Sequence, residues 1–282
     1  MDGAEEQNIL LEESILIDST DKNKGRVLIL TINRPDKLNA LNSSVSSSIK
    51  EACDKAEKDD TVRVVIFSGA APNPPPEGKR SKPNAFVAGA DILEFKGKNS
   101  EDILQTFSEN CWEAIWNMDK PTIAMIDGFA LGGGCELAMS CDIRIASVRS
   151  VFGQPEINLG LIPGGGGTQR LTRLVGYGKS LELILSGEFI NAEEAYSFGL
   201  INQLCEPENL RSKTIELAIT IGSKSIHTLK VAKSAVRMAL NIPMDDAIKI
   251  EAKLFADLFD TEDKEIGVNA FLEKKKPEWK GC

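Results

Sequence analysis

A single histidine, His227, stands among the 282 residues of this chain. That scarcity excludes Ser-His-Asp and Cys-His relays unless His227 takes part, and it excludes any metal site that needs two imidazoles from one chain. Six cysteines (Cys53, Cys111, Cys135, Cys141, Cys205 and Cys282) lack paired CxxC spacing and are too sparse for a disulfide scaffold, so buried free thiols in a reducing compartment are expected. No apolar run approaches the roughly 18 residues of a membrane span. The N-terminus MDGAEEQN is acidic where a secretory signal or transit peptide would be basic, so the reading is a cytoplasmic protein with no membrane contact. Lys and Arg number 33 against 42 Asp and Glu, and the net charge of −9 repels a polyanion, which argues against nucleic acid as a partner. Carboxylates are left as the acids and bases of any chemistry.

The rest of the composition, 42% hydrophobic and 27% charged, is that of an ordinary soluble domain. Residues 1–8 read as frayed. Ile9–Asp18 and Arg26–Asn33 are β-rich runs around the polar turn Asp18–Gly25, a hairpin pattern. Ser43–Lys58 reads as an amphipathic helix, Val62–Ser68 as a strand buried on both faces, and Ala85–Ala88 as a brief strand. The prolines of residues 71–83 (APNPPPEGKRSKP) require a surface loop. Glu101–Met118 reads as one helix, Pro121–Asp127 as a strand, Ala130–Cys141 as a glycine-led helix of small residues, and Asp142–Ser147 as a strand. Alternation of strands and helices predicts an α/β core over residues 1–206. From Pro207 onward only helical periodicity remains, and residues 207–282 form a helical region too thin to bury its own apolar faces. It needs the main domain, a neighbouring subunit, or both to pack against.

The glycine-rich segments match none of the familiar phosphate or nucleophile templates. A Walker loop ending in Gly178-Lys179-Ser180 would need glycine where Arg173 stands; GxGxxG fails at Leu137 and again at Arg170; no GxSxG is present. Glu136 follows Gly132-Gly133-Gly134 in the first turn of a helix, where free N–H groups and the absence of side chains permit close approach of a ligand. A residue matched to the helix dipole is the plainer reading of that glutamate. Glu156 sits between Gln154-Pro155 and Ile157, an odd setting for a solvated carboxylate. Two poorly hydrated carboxylates have displaced pKa values and can divide acid and base duties.

Four segments, NRPDKLNAL (33–41), AFVAGADI (85–92), ALGGGCELAMSCDIRIAS (130–147) and FGQPEINLGLIPGGGGTQRL (152–171), resemble the crotonase superfamily, and within it the enoyl-CoA hydratases. The likeness runs from about residue 9 to residue 275. It implies an α/β spiral of ββα units followed by C-terminal helices that mediate assembly into homotrimers or homohexamers. It also implies an acyl-CoA thioester substrate whose carbonyl lies between the backbone N–H groups of Ala90 and Gly133. By the same resemblance Glu136 is the base on the water that attacks Cβ, Glu156 exchanges the proton at Cα, and Gly164 helps position the water. Coenzyme A contacts are expected from Lys37, Ala40, Leu41, Ala88, Asp91 and Ile92, and from Phe255 and Lys274 of a neighbouring subunit; Phe255 fits a core-facing position equally well. No metal and no cofactor are implied, coenzyme A being part of the substrate.

Retention of both glutamates selects hydratase over double-bond isomerase within that superfamily, since the isomerases tend to keep only the position of Glu156. An RNA-binding relative is the alternative from another class, and the acidic charge speaks against it. Phe95, Phe107, Trp112 and Trp116 either close the acyl pocket or form core; as pocket they favour short substrates, crotonyl-CoA or 3-hydroxypropionyl-CoA. The loop 71–83 is longer than the superfamily's usual connection, and its Lys79, Arg80 and Lys82 are candidates to attract CoA phosphates, against the simpler reading of a solvated loop.

Overall fold

Runs of β-branched residues build the larger sheet of the protein, seen in a computed structural model that describes residues 8–21, 24–107 and 110–282, the Phe107 side chain excepted. Strand β1 (Leu10–Leu16) pairs antiparallel with β2 (Arg26–Ile32), from Leu10 opposite Ile32 to Leu16 opposite Arg26, which is the expected hairpin with shorter strands. Residues 1–7, read as frayed, and residues 22–23 of the turn lie outside the described residues. Helix α1 (Ser43–Lys58) starts where the Asn42 side chain accepts the Val45 N–H at 2.9 Å, and it buries Val45, Ile49, Ala52, Cys53 and Ala56 along one face. Strand β3 (Val62–Gly69) runs parallel to β2. The period-two rule is visible in β2: Leu28, Leu30 and Ile32 face the core that contains α1, whereas Val27 and Ile29 face a second core on the opposite side.

Thereafter the chain repeats one pattern. It continues through β4 (Ala85–Val87), α2 (Ser100–Phe107), α3 (Cys111–Trp116), β5 (Thr122–Ile126), β6 (Phe129–Leu131), α4 (Gly133–Ser140), β7 (Ile143–Ser147) and β8 (Val151–Gly153). Then follow α5 (Gly167–Val175), α6 (Tyr177–Ser186), β9 (Phe189–Asn191), α7 (Ala192–Ser197) and β10 (Gln203–Cys205). The strand orders are β1-β2-β3-β5-β7-β10 in one sheet and β4-β6-β8-β9 in the other. Each of the pairs β3/β4, β5/β6 and β7/β8 thus sends its first strand to the larger sheet and its second to the smaller before a helix follows, which is the expected spiral of ββα units.

Two expectations from periodicity need correction. Glu101–Met118 is two helices, because Asn110 accepts the Glu113 N–H at 2.8 Å and so starts α3 afresh. Ala130–Cys141 is not helix from its start: Ala130 and Leu131 complete β6, and the helix begins only at Gly133 after the left-handed turn at Gly132. Residues 71–83 form neither helix nor strand and are almost wholly exposed, as the prolines require.

The C-terminal helices are α8 (Pro207–Gly222), α9 (Ile226–Met238), α10 (Met244–Asp257) and α11 (Glu262–Leu272). Helix α8 covers the far face of the larger sheet, with Leu210 and Ala218 against Val27, Ile29, Val64 and Ile66. Helix α9 is tied to the start of β7 by Asp142, which takes Lys233 at 2.6 Å and Arg237 at 3.0 Å. Buried Asp263 accepts the N–H groups of Lys280 and Gly281, fastening the last residues to α11. Val236, Met244, Phe255, Phe271 and Leu272 nevertheless stay exposed on α9–α11. Among the described residues no helix is long and apolar enough to cross a membrane.

Candidate active site

A cavity of about 580 Å³ opens where the ends of β4 and β6, the start of α4, the 3-10 turn Pro155–Leu159 after β8 and the glycine loop before α5 converge. Its walls include Ala88, Ala90, Ile92, Gly133, Glu136, Glu156 and Gly164, so the two glutamates, both expected oxyanion donors and the water-positioning glycine share one space.

Ala90 owes its geometry to a parallel bridge with Leu41. Leu41 N–H donates to Gly89 O at 2.8 Å and Asp91 N–H donates to Leu41 O at 2.6 Å, a pattern that turns the Ala90 N–H to the opposite side, toward the cavity. Gly133 is the first residue of α4, where no carbonyl one turn earlier in the helix accepts its N–H. A β-carbon at Gly133 would lie 3.8 Å from Ala90 N, so Gly133 stands close beside the Ala90 N–H. Gly134 lets α4 press on β4: a β-carbon there would come 2.0 Å from Val87 O. The segment carrying Leu41 is held by Asn39, which is buried, donates to Ala70 O and Ala85 O at 2.9 and 2.8 Å, and accepts Arg34 N–H at 3.0 Å. Arg34 in turn donates to Ala40 O at 2.6 Å and pairs with Asp91 at 3.0 Å, locking residues 34–41 to residues 88–92.

Glu136 is 2% exposed and accepts the Gly167 N–H at 2.7 Å. Burial pushes its carboxyl up to about 7; the nearby Glu156 charge adds to the rise, while the Gly167 and Gly165 N–H groups and Arg170 oppose it. Glu156 is half-buried at the start of its turn, and desolvation raises its pKa too. The buried Gln154 carboxamide faces it and, with nitrogen turned toward the carboxylate, donates to both oxygens at 3.1 and 3.2 Å. The glycine loop closes tightly on these groups: β-carbons at Gly165 and Gly167 would fall within 2.9 and 2.8 Å of Glu136 oxygens. Cys135 is no rival nucleophile, since complete burial pushes its thiol to about 12. The arrangement therefore presents two backbone donors to one oxygen and two displaced carboxylates to a water and a carbon beside it, which suits proton transfer next to a polarised carbonyl.

Other expected residues scatter more widely. Leu41 is buried, while Lys37, in the 3-10 turn Pro35–Lys37, and Ile92 are exposed; Ala40, Ala88 and Asp91 are half-buried along the same strip. Asp91 is committed to Arg34. Lys82 donates to Asp36 O at 2.9 Å, so the loop folds back beside Lys37. Phe255 is 64% exposed and meets Phe259 edge-on, which overturns the core-facing alternative. Neither Phe255 nor Lys274 lines the cavity of its own chain. Phe95 and Trp112 do line it, but Trp116 lies in a separate cavity between the core and α9, and the Phe107 side chain falls outside the described residues. His227 is exposed at the start of α9 and takes no part. Sequence reasoning missed Arg34, Asn39, Gln154 and Arg170. For Gln154 a signal existed, an amide two residues before a glutamate in a poorly hydrated stretch; the others combine local hydrogen bonds with distant contacts, Asn39 to Ala70 and Ala85, Arg34 to Asp91 and Arg170 to Trp116, which no local pattern encodes.

The sequence matches the family model described as enoyl-CoA hydratase/isomerase over residues 22–282. A short-chain-enoyl-CoA hydratase of Clostridium acetobutylicum is 42% identical over 257 residues, covering 90% of this chain and 94% of that protein. A crotonyl-CoA hydratase of Syntrophomonas wolfei is 40% identical over 266 residues, covering 94% and 96%. The crystal structure of an enoyl-CoA hydratase from Bacillus anthracis matches with a TM-score of 0.86 at 32% identity, covering 98% of this chain and 100% of that one.

Proposed function

The chain belongs to the enoyl-CoA hydratase/isomerase family, and from that premise we propose that it is a hydro-lyase adding water reversibly to short trans-2-enoyl-CoA thioesters to give 3-hydroxyacyl-CoA. The observation that carries this reading is the convergence of Glu136, Glu156 and the N–H groups of Ala90 and Gly133 on one cavity. The thioester oxygen sits between the two N–H groups, which lower the barrier as negative charge develops there, by roughly 3–4 kcal/mol per donor on the scale of other oxyanion holes. Ionised Glu136 takes a proton from water as its oxygen bonds to Cβ. Protonated Glu156 delivers a proton to Cα, and the electron pair of the double bond forms the new C–H bond. Exchange with solvent then returns the carboxyl pair to its starting state, and the reverse sequence dehydrates a 3-hydroxyacyl-CoA such as 3-hydroxypropionyl-CoA. Gly164 N–H steadies the water. The chemistry asks for no metal or cofactor, because the thioester itself acidifies Cα.

Mixing the purified protein with crotonyl-CoA and following the enoyl-thioester absorbance tests the assignment. Glu136→Gln and Glu156→Gln are each expected to lower kcat by about 10²–10⁴, the usual worth of an acid–base group. Turnover at the parental rate by both folded variants overturns the roles given to them.

The same reading has the C-terminal region, residues 207–282, join subunits into a homotrimer or homohexamer, with Phe255 and Lys274 reaching a neighbour's CoA pocket. It is supported by the exposed apolar side chains on α9–α11; light scattering that finds only monomer removes it. A cytoplasmic site of action is supported by the six cysteines being free. For CoA phosphates the candidates are Lys37, Lys79 and Arg80, all exposed, since Lys82 is already paired with Asp36. Exchange of Lys79 and Arg80 for glutamate is expected to raise KM at low salt, and an unchanged KM removes the loop from the binding site.

A further inference from the structure

The hydratase reading leaves Arg170 and its surroundings unused. Arg170 lies in the first turn of α5, and its Nη1 donates to Gly165 O at 2.7 Å. Gly165 belongs to the same short turn whose Gly167 N–H binds Glu136 at 2.7 Å, so the guanidinium braces the backbone that holds the catalytic carboxylate. Contact with the turn is close: a β-carbon at left-handed Gly166 would fall 2.2 Å from Arg170 Nη1. The other side of the guanidinium is equally constrained. It lies 4.8 Å from the centroid of the Trp116 ring, and Arg237 of α9 lies 4.4 Å from that same ring. Arg237 is itself held at 3.0 Å by Asp142. A continuous line of contact therefore runs from the C-terminal helix α9 through Arg237, Trp116 and Arg170 to the turn around Glu136.

We propose that Arg170, held against Trp116, is a positioning residue for hydration: it fixes the Gly164–Gly167 turn and keeps a positive charge beside Glu136. A cation is costly to bury without purpose, and this one is half-buried. The charged groups facing Arg170 are Glu136 from α4, Glu113 from α3 and Arg237 from α9, and those facing Glu136 are Glu156 and Arg170. Of these only Arg170 offsets the combined effect of burial and Glu156 on the ionised base.

Because this inference rests on the hydratase reading, its test includes a measurement independent of turnover. In Arg170→Met, kcat on crotonyl-CoA is expected to fall about 10- to 100-fold with KM nearly unchanged, the size of effect that a displaced reacting group produces. The Glu136 titration, followed by NMR with carboxyl-labelled glutamate and assigned against Glu136→Gln, is expected to move to higher pH. Arg170→Lys restores part of kcat and most of the titration position. Trp116→Leu, which keeps the arginine and removes its platform, lowers kcat in the same direction by less. A folded Arg170→Met with parental kcat overturns the proposal, as does a loss of kcat with an unmoved Glu136 titration, which marks a merely structural role. If Arg170→Met does not fold, unchanged kcat and titration in Trp116→Leu overturn it. An inactive parent protein rejects the hydratase reading, and the NMR titration still decides the place of Arg170.

Discussion

The indole N–H of Trp112 donates to the carbonyl oxygen of Gly133 at 2.9 Å, so a ring that lines the cavity is fastened to the residue proposed to offer an oxyanion N–H. The same ring lies under the glycine loop, where a β-carbon at Gly165 would come within 2.5 Å of it. Trp112 thus joins Gly133 to the loop that surrounds Glu136, and under the proposed function it is the candidate wall against a longer acyl chain. Trp112→Leu is expected to lower kcat/KM on crotonyl-CoA about tenfold through the lost hydrogen bond, while gaining on longer substrates about 1–3 kcal/mol of discrimination per methylene accommodated. A series of kcat/KM values from crotonyl- to octenoyl-CoA measures it. An unchanged order of preference removes Trp112 as the wall that limits chain length.

The pH dependence of turnover follows from the environment of Glu136. Its carboxyl, pushed up to about 7 by burial, must be ionised to take the proton from water that the proposed reaction assigns to it. kcat/KM is therefore expected to fall as pH drops through about 7, an acid limb well above that of an ordinary carboxylate. Because Glu136 and Glu156 share one cavity, the limb belongs to the pair. Glu136→Gln removes that limb from the residual activity; a limb that persists in that variant assigns the titration to another group.

The same displacement has a consequence for stability. A carboxyl whose folded pKa lies above its unfolded value of 4.5 binds its proton more tightly in the native protein, so the native state loses stability as pH rises from 4.5 to about 7. Below that window the group is protonated in both states and costs nothing; above it the full cost of the buried charge is present. The Glu136→Gln variant keeps an oxygen to accept the Gly167 N–H and carries no charge. It is expected to exceed the parent in stability by roughly 3 kcal/mol at about pH 8, with the difference vanishing at about pH 4. Denaturant unfolding at the two pH values checks this, and a difference that does not change with pH contradicts the burial of a charged base.

Much of this architecture was legible wherever a signal is local. The hairpin of β1 and β2 follows from β-branched runs around a polar turn, and α1 from its apolar stripe. Strand β6 was invisible because its three residues adjoin a glycine run that reads as the start of a helix. The break between α2 and α3 was hidden because one capping asparagine outweighs a continuous apolar pattern. In the site, Glu136 and Glu156 stood out as carboxylates in poorly hydrated settings, whereas the roles proposed for Ala90 and Gly133 use main-chain N–H groups, which leave no side-chain signature; only the resemblance pointed to them. Trp116 and Arg170 meet across 54 positions of sequence, a contact that no local pattern encodes.

Gly132 and Gly133 stand side by side, yet different physics forbids a side chain at each. Gly132 has φ +49° and ψ −124°, a conformation that costs other residues roughly 1–3 kcal/mol, and its β-carbon would lie 2.8 Å from Glu156 Oε1. Gly132→Ala is therefore expected to lower the melting temperature and to displace Glu156, so that stability and kcat fall together. At Gly133 the backbone is an ordinary first helical turn; a β-carbon would meet Trp112 at 3.2 Å and Leu41 at 3.5 Å, contacts that small shifts relieve. It would, however, lie 3.8 Å from Ala90 N, on the side where the proposed mechanism seats the thioester oxygen. Gly133→Ala is expected to melt close to the parent while kcat falls about 10²-fold, the size of effect seen when an oxygen is kept from one oxyanion donor. If Gly133→Ala instead keeps its activity, the carbonyl oxygen does not dock between Ala90 and Gly133, and the thioester must be oriented by some other pair of donors.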